Sequence, residues 1–276
     1  HENSKNSVSA ISDAKFMEKA TATLVAIESW MLRRTLGRIL HNSDVALRSD
    51  DLYAWHDLFK SEVIDRLIQA LRNDFSEDSF KAFLYCNGGS MSDETKCLSN
   101  ADLLAYSRTP VKFYSNEAVR AKLARVILEA VEDQMRLNTR ESKDSRFIQR
   151  AAYEVDHISP KAALGDGGLL TEHECYSLGN LTLLSQEGNR KKKHHTDSHA
   201  LASIGRADLR INKSIWRAHF PVGDFDEIPS EKLNATSLKW GPDSVRDRHE
   251  MILNAVMQIC PLCLKASPMR SRWSIS

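Results

Sequence analysis

The chain has 276 residues, 42% hydrophobic and 27% charged, with a formal net charge of +1. That length allows one large domain or two smaller ones, and the composition is that of a soluble globular protein. No apolar run approaches the roughly 18 residues of a membrane span, the polar start His1 to Ser12 lacks the core of a secretory signal, and the small net charge excludes a global basic field, so any nucleic-acid contact must use a local patch. The five cysteines, Cys86, Cys97, Cys175, Cys260 and Cys263, are odd in number and irregular in spacing. They argue against a disulfide framework and for a reducing, cytoplasmic setting. The chain starts with His rather than Met, which reads as a piece of a longer protein with a further domain upstream.

The first 150 residues read as helical. Residues 13–40 place Phe16, Ala20, Leu24, Ile27, Met31 and Leu32 at helical spacing, with Ser12-Asp13 as the cap. Residues 51–73 predict two short helices and 76–86 another, before the break Asn87-Gly88-Gly89-Ser90. Val119, Leu123, Ile127, Val131 and Met135 recur near every fourth position and predict a helix over 116–137. The polar stretch 138–151 is a helix or a linker. The period then changes. Tyr153, Val155 and Ile158 predict a strand, Gly165, Gly167 and Gly168 a loop, and Leu181, Thr182, Leu183 and Leu184 a second strand. A helix is expected from about Asn189 to Ser203. This unit of residues 151–205 is too small to bury a core alone, so it should pack on the helices around it. In the region 206–276, Trp216, Phe220, Phe225 and Trp240 are expected anchors. Trp240-Gly241-Pro242-Asp243 reads as a turn with Pro242 near the first position of a helix through Val245, Ile252, Leu253, Val256 and Ile259. Residues 267–276 read as a flexible end. The fold class is mainly α with a small α+β insertion.

The insertion carries chemistry. Hydrolysis of a phosphodiester needs a base for the attacking water and stabilisation of the leaving oxygen. A His of near-neutral pKa suits the first task. A hard divalent cation suits the second, and it prefers carboxylate and amide oxygens. Asp156 and Asn189 supply one of each. His157 alternates with Asp156 along the strand, so the two side chains face opposite sides. The run Arg190-Lys191-Lys192-Lys193-His194-His195 puts positive charge beside Asn189, suited to phosphates, although a regular helix cannot aim all of it at DNA.

Asp156-His157 with Pro160, then Leu178-Gly179-Asn180-Leu181-Thr182-Leu183, then Asn189, resembles the HNH (ββα-metal) nuclease motif. More narrowly it resembles the C-terminal nuclease domain of the GmrSD family of modification-dependent restriction enzymes. Ile27 to Arg34 resembles the helical region of that family, as does Trp240 with Arg246 and Arg248. The resemblance implies that His157 is the general base, that Asp156 and Asn189 hold Mg²⁺ or Mn²⁺, and that Asn180 fixes the hairpin and orients His157. Arg190, Lys191, Lys192, Lys193 and His194 would meet DNA. The last motif position is often His in HNH enzymes and is Asn189 here, which leaves a part for His194 or His195 open. The resemblance also implies an upstream nucleotide-dependent domain with an Asp-Gly-Gln-Gln-Arg signature, absent from this chain, and a role in defence against phage or modified DNA. A related anti-phage effector that senses phosphorothioate-modified DNA shares that layout. The expected activity is nicking of DNA, with double-strand breaks from two events or from a homodimer.

Two other classes compete. One is a DNA-binding or scaffold module that kept the fold and lost catalysis. The other is a zinc-stabilised interaction domain built on Cys260-Pro261-Leu262-Cys263, which is half of a zinc knuckle with no second pair. His195 and His199, four apart, lack a third ligand in register. Arg33-Arg34 can contact DNA or pair within the helical region, and the second fits a helix interior better.

Overall fold

The computed structural model describes residues 2–41, 100–113, 118–138, 153–161, 164, 169–192, 204, 209–217 and 240–260. The helices expected over 51–73 and 76–86, the break at Asn87, the Gly165–Gly168 loop and the 267–276 end lie outside them. The protein is mainly helical with one two-stranded sheet. The described elements are α1 (Glu2–His41), α2 (Asn100–Ser107), α3 (Ala118–Asn138), β1 (Tyr153–His157), the single turn α4 (Glu172–Cys175), a 3₁₀ turn (Leu178–Asn180), β2 (Leu181–Ser185), α5 (Gln186–Lys192), α6 (Arg210–Arg217) and α7 (Pro242–Ile259). Among the described residues no helix is long and apolar enough to cross a membrane. The chain divides into two compact units. One comprises His1–His41, Arg48–Asn100 and Cys260–Ser276; the other comprises Asn42–Leu47 and Ala101–Ile259.

In the first unit, α1 runs straight through Ser12 and Asp13, so these residues do not cap it. Among its described side chains, Ile27, Trp30, Leu36, Ile39 and Leu40 are buried. Phe16 and Leu24, at the same helical spacing, are exposed. Spacing reveals which residues share a face, not how far a partner extends along it. Arg33 and Arg34 are buried. Arg33 Nε donates to Cys260 O and its Nη2 to Asn100 Oδ1, both at 2.7 Å. The Arg34 guanidinium lies 5.1 Å from the Trp30 ring centroid. Both arginines therefore face the interior.

In the second unit, β1 and β2 pair antiparallel in the register Tyr153↔Ser185 through His157↔Leu181, which puts Asp156 opposite Thr182. Leu181 to Leu184 are all buried, so β2 is covered on both faces, as its nearly continuous apolar run requires. Helix α6 closes over β2. Asn212 Nδ2 donates to Leu183 O at 2.8 Å, and Asn212 Oδ1 accepts from the Thr182 hydroxyl. Glu132, fully buried on α3, accepts from Ile211 N at 2.7 Å and from Arg136 Nε at 2.5 Å. Its carboxylate thus serves one of the unsatisfied N–H groups at the start of α6. A core of Ile158, Leu170, Cys175, Leu184, Ile204, Ile215, Trp240 and Val245 joins the strands to α6 and α7. Pro242 is the first residue of α7, where its fixed φ and missing N–H are tolerated.

Candidate active site

Three local devices build the site. Ser185 closes β2 and starts α5, its Oγ accepting from Gly188 N at 3.1 Å. The helix therefore opens at Gln186, three residues before the expected start, and Asn189 lies a turn inside it. Thr171 and Glu174 form a reciprocal capping box that sets α4. The 3₁₀ turn lies so close to α7 that a Cβ on Gly179 would stand 2.0 Å from Val245 O. Only glycine allows that approach.

Asp156 and His157 are the last two residues of β1. Asp156 is partly exposed at 21%, while the Lys192 side chain is 1% exposed, and Lys192 Nζ meets Asp156 Oδ2 at 2.5 Å. The same ammonium donates to His157 O. Lys192 is three residues beyond Asn189, so both lie on the face of α5 that turns toward β1. His157 is buried, and its ring meets Tyr176 edge-on at 5.6 Å between centroids. Burial, then the nearby charge of Lys161, pushes the imidazolium down to about 4 against a smaller opposing pull from Asp156. His157 is thus neutral at neutral pH, the form able to accept a proton.

Asn180 has no exposed surface. Its Oδ1 accepts from Ser159 N at 2.9 Å and from Trp240 Nε1 at 3.0 Å. Its Nδ2 donates to Ser159 O at 3.0 Å and to Cys175 O at 2.8 Å. Its backbone carbonyl takes Ile158 N at 2.8 Å. One side chain therefore clamps the segment leaving His157, the end of α4 and the residue before Gly241.

The family profile described as GmrSD restriction endonucleases, C-terminal domain, matches residues 108–255. The chain belongs to that family. Searches of curated proteins and of solved structures return no match. Membership makes this a restriction-endonuclease-type nuclease domain, whose substrate is DNA.

Within this GmrSD C-terminal domain, Asp156, His157 and Asn180 come together at the end of the β1–β2 pair, and the half-buried Asn189 sits on the adjoining helix. Arg190 is exposed. The Lys191 side chain, Lys193, His194, His195 and His199 lie outside the described residues, as does Cys263. Lys192 differs from its expected place, because its ammonium is turned inward onto Asp156 rather than out to solvent. Its spacing from Asn189 is the signal that could have placed it. Trp240 and Arg248 carried only a resemblance in the sequence, and their contacts explain it. Trp240 donates to Asn180. Buried Arg248 donates through Nη1 to Gly179 O at 3.2 Å and also to Leu181 O, on either side of Asn180. Tyr176 had no sequence signal of its own.

Proposed function

We propose that this domain is an HNH-type, metal-dependent DNA endonuclease that nicks one strand at a time. His157 takes the proton of the attacking water. The oxygen of that water bonds to phosphorus, the P–O3′ bond breaks, and the products carry a 5′-phosphate and a 3′-hydroxyl. Asp156 and Asn189 would hold Mg²⁺ or Mn²⁺. One carboxylate and one amide oxygen, neither fully buried, form the hard, partly hydrated donor set that these ions favour. A bound ion supplies charge stabilisation to the phosphate and to the leaving oxygen. Lys192 holds the Asp156 carboxylate in position, and Asn180 holds the backbone that follows His157. Arg190 and its basic neighbours meet the phosphate backbone.

The observation that supports this reading most is that the Asp156-His157 pair, the Asn180 clamp and the Asn189 helix form one hydrogen-bonded unit inside the segment that matches a restriction-endonuclease family. The biological role proposed with it is cleavage of foreign or modified DNA under the control of a nucleotide-dependent partner domain. Supercoiled plasmid incubated with the protein and Mg²⁺ tests the activity. The open-circle form should accumulate before the linear form, and EDTA should stop it. Plasmid left supercoiled in Mg²⁺, Mn²⁺ and Ni²⁺ alike, but retarded in a gel, would instead identify a binding module without catalysis.

A further inference from the structure

A second set of basic residues reaches His157 by way of Tyr176. Phe113 N donates to Tyr176 O at 2.9 Å and ties the segment 108–113 to the end of α4. Lys112 Nζ then lies 5.5 Å from the Tyr176 ring centroid, and Lys161 Nζ lies 5.2 Å from the same centroid. That ring is the one that meets His157 edge-on. Farther along the same two segments lies an open cavity of about 590 Å³ whose lining includes Arg108, Thr109, His173 and Arg246. Arg108 and Arg246 are exposed, and among the described residues Arg108 has no ion-pair partner.

Three acids beside these cations are engaged. Glu172 pairs with Lys112 at 2.8 Å, Asp243 with Arg246 at 3.2 Å, and Glu174 accepts from both the N–H and the hydroxyl of Thr171. Exposed pairs of this kind hold weakly, about 0–1 kcal/mol, so a phosphate can replace the carboxylate at little cost. The four cations do not converge on one point. They are strung along an open surface that ends at a tyrosine beside the candidate base. That layout suits successive phosphates of a strand better than one enclosed anion.

We propose that Arg108, Arg246, Lys112 and Lys161 form a track that binds the phosphate backbone of DNA and leads the strand to His157. The track rests on the nuclease reading and adds a contact surface that the basic run after Asn189 does not provide. Each phosphate contact contributes about 0.9 to the slope of log K against log salt, so losing one costs about eightfold near 0.1 M salt.

The test is binding of the full chain to a duplex of about 20 base pairs in EDTA, by fluorescence anisotropy between about 50 and 200 mM salt. The pair Arg108→Gln with Arg246→Gln, and separately Lys112→Gln with Lys161→Gln, should each lower the slope by about 2 and weaken binding about 60-fold at 0.1 M salt, with melting temperature unchanged. Arg108→Lys with Arg246→Lys should keep the slope. Unchanged affinity and slope in the Gln pairs, with the parent binding and nicking, overturns the track alone. Displacement of the duplex by inorganic phosphate at matched ionic strength also overturns it, in favour of a small-anion pocket. A parent that neither binds nor nicks removes the nuclease reading and the track together.

Discussion

Asn180 makes four side-chain hydrogen bonds to nitrogen and oxygen partners from a position with no solvent contact. Removing it takes one partner from each of these groups, and a stranded buried donor or acceptor costs about 1–3 kcal/mol. Asn180→Ala should therefore lose at least about 3 kcal/mol in denaturant unfolding. Asn180→Asp should lose a comparable amount, because it removes both donors. An unchanged midpoint in either variant would contradict the clamp. Lys192 is a second residue whose role is set by contact. Removing its ammonium leaves the Asp156 carboxylate without its positive neighbour, so Lys192→Met should destabilise the domain when no divalent ion is present, and added Mg²⁺ should restore part of the loss in a thermal melt. The sequence placed Asp156 and His157 on a strand, and the structure puts them at the end of β1 with Asn180 bonded to the segment that follows. The partners of Asn180 were not legible in the sequence, since Trp240 lies 60 positions away and nothing local announces a hydrogen bond across that distance.

At the scale of elements, the site depends on how the 3₁₀ turn sits against α7. Gly179→Ala should cost about 3 kcal/mol or more, because the added Cβ meets a backbone carbonyl that cannot rotate away. Equilibrium unfolding checks this; a loss under about 1 kcal/mol would show that the turn can move away from the helix. The strands β1 and β2, helix α3 and helix α7 were readable from period and residue type, and Pro242 marked its helix start. The 3₁₀ turn was not readable, because three residues carry no period. Helix α4 is a single turn and carries no period either, although Thr171-x-x-Glu174 is a capping signature that could have marked it. The start of α5 was misplaced because Gln186 to Gly188 contain a helix-weak glycine, while the Ser185 cap that overrides it is a local bond to Gly188 N from a residue that reads as the strand end.

At the scale of the whole molecule, a buried uncharged His links folding to pH. His249 on α7 has no exposed surface, and burial pushes its imidazolium down to about 4 against a smaller opposing pull from the Tyr106 backbone. The unfolded chain takes up that proton as pH falls through about 6.5, and the folded chain only near 4. Stability should therefore fall between those values, by up to ~3 kcal/mol from this residue. His249→Leu should flatten that part of the profile in chemical denaturation, and an unaltered acid slope would contradict the assignment. The mainly helical class with one small sheet was legible from composition and period. The division into two units was not, because Cys260–Ser276 and His1–His41 belong to one unit though they lie at opposite ends of the chain. The central claim is that His157 is the base of a Mg²⁺-dependent strand cleavage. The most direct measurement is the rate of plasmid nicking by the parent and by His157→Ala in Mg²⁺, with unfolding curves to show that both are folded. A rate roughly 100- to 10,000-fold lower in the folded variant is the predicted result, and nicking at the parental rate would contradict it.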